Sequence, residues 1–258
     1  MGKFDGILIT SDWDGTIFDG RCVPEKSIKA IKYFQDNGGK FTLCSGRPSE
    51  YMKRFTEIVK PNTYALALNG TVICNLETDE ILREKFIDRD AYRIALELID
   101  RGIEVGRVAA AVKGRDDFIW MTPEEFRARI DELVEYRVYK LAMGVAHAPD
   151  GDILIKEAGK LDTGHYYVTR SYREYLEIMR SDCSKGRASL YLKNLLGAKL
   201  LVCMGDYEND TTMFECADVS YAPENALDTI KAMATHITSH VSDGAVASVI
   251  EHIEKNYA

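Results

Sequence analysis

Asp12 and Asp14 are the residues in this chain best placed to do chemistry. They stand one residue apart, directly after the apolar run Ile7–Ile9, and Gly15-Thr16 follow them. The run reads as a buried strand, and strand side chains alternate faces, so both carboxylates leave its end on one side. Like charges that close repel unless a cation compensates. A hard divalent ion does this best, and Mg²⁺ is the one that works beside phosphates. Gly15 lets the backbone turn and frees its N–H to face an anion. The same residues also fit a plain hairpin turn, since Asp-Gly after a strand is a common turn signal.

Two further strand ends share this character. Lys40–Cys44 runs into Ser45-Gly46-Arg47, and Leu200–Met204 runs into Gly205-Asp206-Tyr207-Glu208-Asn209-Asp210. In an open parallel sheet, ligands bind outside the carboxyl ends of the strands. Any one of these could be a helix cap or a turn. All three ending alike is a rarer coincidence. Lys185 is the fourth member: it falls in the first turn of a helix capped by Ser184, where the helix dipole disfavours a cation. A local rule broken without evident gain points to a functional site, against the alternative of a solvated surface lysine.

The elements that must hold these groups alternate. A helix from Pro24 to Asn37, a helix with Tyr51, Phe55 and Ile58 on one face, and a strand at Thr63–Leu68 with a returning arm at Val72–Asn75 give α/β grammar. Between residues 84 and 180 strands often pair without an intervening helix, around helices at Asp88–Arg101, Thr122–Glu135 and Pro149–Gly159. Alternation resumes at Ser184 and ends in an amphipathic helix begun by Asp243. The expected fold is α/β: a Rossmann-like parallel-sheet core (1–83 plus 181–258) with an inserted α+β cap (84–180).

Composition narrows the function. The 258 residues are 46% hydrophobic and 29% charged, with a formal net charge of -8. That balance argues against nucleic acid, and a phosphate site must make its own positive field. The six cysteines are scattered, and Cys44 and Cys203 fall in apolar strand-like runs, which is reduced, cytoplasmic usage. No apolar run approaches the roughly 18 residues of a membrane span. His236 and His240 lie four apart, as a helical metal pair would, but no third ligand accompanies them, and surface positions are expected.

Asp12-x-Asp14-Gly15-Thr16, Ser45-Gly46-Arg47, Lys185-Gly186 and Gly205-Asp206-x-x-Asn209-Asp210 resemble, in order, the four motifs of the haloacid dehalogenase-like phosphatases. The likeness is greatest to the Cof-type sugar-phosphatase branch, whose α/β cap lies between the second and third motifs. Ala217-Asp218, Pro223-Glu224-Asn225-Ala226 and Ser242-Asp243-Gly244-Ala245 echo that branch too. Trp13 departs from the usual aliphatic residue and is expected to shape the pocket mouth.

The resemblance implies a phosphatase of small phosphorylated metabolites, sugar phosphates foremost. Asp12 would be the nucleophile and Asp14 the general acid and base. Mg²⁺ would be held by Asp12, the Asp14 carbonyl and Asp206. Ser45, Lys185, Asn209 and the amides at Gly15 and Gly46 would hold the phosphoryl group, with Asp210 orienting Lys185. Arg47 and Asn69 either touch substrate or fix loops, and Glu177 and Asp182 approach from the cap. A phosphomannomutase-like sugar phosphomutase is the alternative, although its second motif differs from Ser45-Gly46-Arg47. A non-catalytic phosphometabolite-binding module is the third reading.

Overall fold

The computed structural model describes residues 2–258. In chain order the strands are β1 (Ile7–Ser11), β2 (Lys40–Leu43), β3 (Ala65–Ala67), β4 (Val72–Cys74), β5 (Ile81–Glu84), β6 (Val105–Val112), β7 (Ile119–Met121), β8 (Val138–Val145), β9 (Tyr166–Tyr172), β10 (Tyr175–Arg180), β11 (Leu200–Met204), β12 (Val219–Pro223) and β13 (His236–Thr238). The helices are α1 (Glu25–Asp36), α2 (Ser49–Met52), α3 (Arg89–Ile99), α4 (Pro123–Ala128), α5 (Ile130–Glu135), α6 (Ala148–Ala158), α7 (Lys185–Leu196), α8 (Thr211–Cys216), α9 (Asp228–Met233) and α10 (Ala245–Asn256). The chain divides into two compact units: one runs to Arg83 and resumes at Ser184–Ala258, the other is Glu84–Cys183.

In the first unit β1 lies inside the sheet, between β11 and β2, and all five of its side chains are buried, as a strand covered on both faces requires. The sheet order is β13-β12-β11-β1-β2, and every pairing is parallel. Its register fixes the site: Ser11 lies opposite Leu43 on one side and Met204 on the other. The residues just beyond these three, with Asp12, Ser45 and Asp206 among them, therefore emerge at one sheet edge. Just past β2, Cys44 makes a parallel bridge to Leu66 of β3, which pairs antiparallel with the returning arm β4.

The second unit is an antiparallel sheet, β7-β6-β8-β10-β9. Ile94, Leu98 and Leu154 of its helices pack with Leu141, Met143 and Ile178 of its strands. The alternate strand positions carry a buried ion pair between Lys140 and Glu177. The expected helix Thr122–Glu135 breaks at Arg129 into α4 and α5, and α4 begins with a capping box between Thr122 and Glu125. Among the described residues no helix is long and apolar enough to cross a membrane.

The expected stripe of Tyr51, Phe55 and Ile58 holds only in part. α2 ends at Met52 and tightens into a 3-10 turn, Lys53–Glu57, so Ile58 falls past its end and is exposed. Trp13 is buried rather than at a pocket mouth, its ring stacked on Phe55 at 4.1 Å between centroids.

His236 and His240 share no helix. His236 belongs to the edge strand β13, and His240 precedes a 3-10 turn at Val241–Asp243. The His236 ring lies 4.6 Å from that of His252 on α10, and its Nε2 is buried without a hydrogen-bond partner. Tyr221 of β12 completes the cluster, its hydroxyl 2.7 Å from His252 Nδ1. Burial, then the neighbouring His252, lowers the His236 pKa below that of a free imidazole. A lowered histidine pKa means that the unfolded chain binds the proton more tightly. Stability is then full above an imidazole pKa of about 6.5 and is lost as pH falls through it. Thermal midpoints should fall between about pH 7 and 5, and His236→Gln should flatten part of that fall. Equal slopes in the two proteins would remove His236 as a cause.

Candidate active site

Asp12 follows β1 directly, and its N–H donates to Met204 O at 3.0 Å, tying together the ends of β1 and β11. The chain then folds back in a tight turn. Phe18 N–H donates to Trp13 O, and the Gly15 amide donates to Phe18 O, both at 2.9 Å. The Gly15 amide is therefore spent inside the turn and does not face an anion, contrary to the sequence expectation. The Asp-Gly turn signal is realised here, directly after Asp12. Gly15 is needed for two reasons: its φ is +80°, and a Cβ there would stand 2.3 Å from Asp206 Oδ2.

Lys185 is the first residue of α7, after Ser184, whose Oγ accepts from Arg187 N–H at 3.1 Å. Its Nζ lies 2.6 Å from Asp12 Oδ1 and 2.6 Å from Asp210 Oδ1, and its side chain is 1% exposed. Burial pulls the Lys185 pKa down, but the two carboxylates outweigh it and hold the ammonium charged. The helix dipole would disfavour this cation by only about 0.3–1 kcal/mol, far less than two buried carboxylates return.

The carboxylates in turn exceed what one lysine can neutralise. Burial pushes Asp12 up strongly, against the pull of Lys185, and the charges of Asp210 and Asp206 add to the rise. Asp206 is pushed up to about 7, chiefly by burial and then by Asp210. One oxygen from each of Asp12, Asp206 and Asp210 falls within 4.8 Å of the others, a spacing that could hold a metal ion. Their hydrogen bonds separate the three. Asp210 is fully engaged: Oδ1 faces Lys185, and Oδ2 accepts from the amides of Asp206 and Tyr207 at 2.9 and 3.0 Å. Asp206 Oδ1 accepts from Thr16 Oγ1 at 2.8 Å. The second oxygens of Asp12 and Asp206 are the donors best left for a hard cation, and oxygen-only carboxylate donors suit Mg²⁺.

Around this centre the other expected residues take distinct places. Ser45 is buried, and its Oγ accepts from Arg47 N–H at 3.2 Å. Asn69 is buried with φ +55°, and its Oδ1 accepts from Asn209 Nδ2 at 3.3 Å, joining two motif loops. Gly46 lies half-buried in the loop after Ser45. Arg47 settles as a partner of Asp14: Nε is 3.2 Å from Oδ2 and Nη2 3.4 Å from Oδ1, with the guanidinium over the Tyr51 ring. Asp14 is thus exposed and paired with an arginine, while Asp12 is buried and paired with a lysine.

Glu177 and Asp182 belong to the second unit, where they pair with Lys140 and with Arg180 and Lys85 respectively. Asn225 was not singled out from sequence. Its Nδ2 donates to Gly15 O at 2.7 Å while its Oδ1 accepts from Val241 N–H at 3.0 Å, bracing the turn that carries Asp14. Pro223-Glu224-Asn225-Ala226 held the only hint of it.

A profile of the haloacid dehalogenase-like hydrolases matches residues 9–250. The Bacillus subtilis (strain 168) protein YxeH is 28% identical over 264 residues, covering 95% of this chain and 97% of its own. An HMP-PP phosphatase of Enterobacter sp. (strain 638) is 25% identical, covering 95% of this chain and 94% of its own. Among solved structures, a sugar phosphatase of HAD subclass IIB superposes with a TM-score of 0.74 at 15% identity, covering 95% of this chain and 98% of its own. With four motifs converging on one sheet edge and the family profile spanning nearly the whole length, this chain belongs to the haloacid dehalogenase-like hydrolases.

Proposed function

We propose that the chain is a Mg²⁺-dependent phosphatase of small phosphorylated metabolites, sugar phosphates foremost, working through an aspartyl-phosphate. The observation that carries this reading is the buried Lys185 ammonium, 2.6 Å from each of Asp12 and Asp210, with Asp206 beside them. A cation held beside a buried carboxylate is what a phosphoryl group in transfer needs. The HMP-PP phosphatase and the sugar phosphatase support small phosphate esters as the substrate class. The unit Glu84–Cys183 is proposed to select among them.

In this mechanism Asp12 attacks phosphorus in line, and its new O–P bond forms as the bond to the leaving oxygen breaks. Asp14 gives that oxygen a proton. It then takes a proton from the water that hydrolyses the aspartyl-phosphate. Ser45, Asn209 and Lys185 hold the phosphoryl oxygens together with the amide at Gly46, and Asp210 keeps Lys185 in position. Arg47 orients Asp14, and Asn69 orients Asn209. Mg²⁺ held by Asp12, the Asp14 carbonyl and Asp206 would offset the charge gathered on the phosphoryl oxygens.

The test is phosphate release across a panel of phosphorylated sugars, nucleotides and cofactors, with Mg²⁺ or with excess chelator. Release should occur with Mg²⁺ and fall at least about 10²-fold with chelator, while the protein stays folded. Undiminished turnover in chelator would exclude the metal. An isomerised sugar phosphate without free phosphate would replace hydrolysis by mutase chemistry, and tight binding without turnover would leave a binding module.

A further inference from the structure

The first turn of α7, which carries Lys185, is anchored by a thiol. Cys216 ends α8, and its Sγ–H donates to Gly186 O at 3.2 Å. From the other side, Gly186 N–H donates to Thr212 Oγ1 at 3.1 Å. A Cβ on Gly186 would stand 1.8 Å from Thr212 O, so α7 and α8 meet backbone to backbone. Packing that close transmits a shift of either helix to the other.

A second thiol stands beside the first. Cys203 of β11 belongs to the buried cluster that Cys216 packs against, and its Sγ lies 3.3 Å from Thr10 Oγ1. The two differ in character. Cys203 is wholly buried, and burial pushes its pKa well up. Cys216 is half-buried, and the hydrogen bond with Cys203 pulls its pKa below that of an ordinary thiol. A half-buried thiol packed beside a wholly buried one is the arrangement of an oxidisable pair.

We propose that Cys203 and Cys216 form a reversible disulfide on exposure to hydrogen peroxide, and that this bond displaces the first turn of α7. Cys216 Sγ attacks one peroxide oxygen. The O–O bond breaks, hydroxide leaves and takes up a proton as water, and Cys216 becomes a sulfenic acid. Cys203 Sγ then attacks that sulfur; the S–S bond forms, the S–O bond breaks, and the Cys203 proton departs with the hydroxyl group as a second water. In sum two thiols lose two electrons and two protons, and one peroxide is reduced to two waters. An S–S bond of about 2.05 Å draws the Cys216 sulfur toward β11 and away from Gly186 O. Gly186 O then keeps its intrahelical donor but loses the thiol, and the turn holding Lys185 loses that anchor.

The effect on activity rests on the role proposed for Lys185; the disulfide does not. Exposed Cys22 would oxidise in its own right, so the experiment uses the full chain with Cys22→Ser. After peroxide treatment, peptide mapping without reductant should recover the Cys203–Cys216 cross-link. Phosphate release should fall about 10²-fold, the cost of misplacing one oriented group, and return with dithiothreitol. Cys216→Ser, which can still donate to Gly186 O, and Cys203→Ala should stay active and resist peroxide.

Peroxide products confined to other cysteines, or Cys216 oxidised without a cross-link, would overturn the disulfide. A cross-link with an unchanged rate would overturn its coupling to α7. If no preparation releases phosphate, mapping still decides the disulfide, and it is the proposed function that fails.

Discussion

Asp12→Asn will give a folded protein that releases phosphate at least about 10⁴-fold more slowly than the native chain, the scale of losing a covalent nucleophile. The amide matches the carboxylate in shape but has too little electron density on oxygen to displace the leaving group. Stability should barely move, and the reason lies in the charge balance of the site. Burial pushes the Asp12 pKa up against the pull of Lys185, and Asp210, Asp206 and Asp14 add to the rise, so ionised Asp12 is a strained member of the cluster. Neutralising it relieves repulsion with Asp206 and Asp210 while removing one of the two partners of Lys185, and Asp210 remains at 2.6 Å. No buried charge is left unpaired, which is the condition that makes breaking a buried pair costly. Acid quenching with labelled substrate supplies the second readout: the native chain should retain phosphate on the peptide containing Asp12, and the variant none. A variant that keeps more than about a tenth of the native rate would remove Asp12 as the nucleophile.

Much of this centre is legible before any coordinates, for a physical reason. A parallel strand must be apolar throughout, so polar residues gathered just past three such strands announce the edge where they converge. Lys185 is legible because a cation at the start of a helix opposes the dipole, and two carboxylates at 2.6 Å are the compensation. Other features lie outside what periodicity can carry. The Gly15 amide is closed onto Phe18 O within its own turn, and the Asn225 side chain bonds Gly15 O and Val241 N–H in distant loops; periodicity encodes neither. β13 is three residues long at a sheet edge, too short for alternation to register. Arg47 gave two readings because a residue beside a motif can face ligand or motif, and only geometry shows its fork on Asp14.

Lys185→Met separates the structural share of that lysine from its chemical one. The methionine fills similar volume, so the deficit is electrostatic: Asp210, whose side chain is 0% exposed, and Asp12 are left buried without their cation. Breaking a buried pair from one side costs about 3–5 kcal/mol, and phosphate release should vanish with the phosphoryl-binding charge. In the native chain Lys185 pulls against the burial that raises the Asp12 pKa, so without the lysine the folded Asp12 pKa rises further above its unfolded value. For such a raised carboxyl stability is full below the unfolded pKa near 4 and is lost as pH rises, so the deficit of Lys185→Met should widen between about pH 5 and 8. A second substitution tests the cause. Asp210→Asn added to Lys185→Met removes an unpaired charge while its carbonyl can still accept from the Asp206 and Tyr207 amides. The double variant should therefore be more stable than Lys185→Met alone, a coupling of about 1–3 kcal/mol in the direction opposite to additivity. Activity should not return with it, because the phosphoryl group still lacks its cation. Denaturant midpoints at two pH values decide the matter: a Lys185→Met protein as stable as the native chain at pH 8 would mean that the three-residue ion cluster does not hold this sheet edge together.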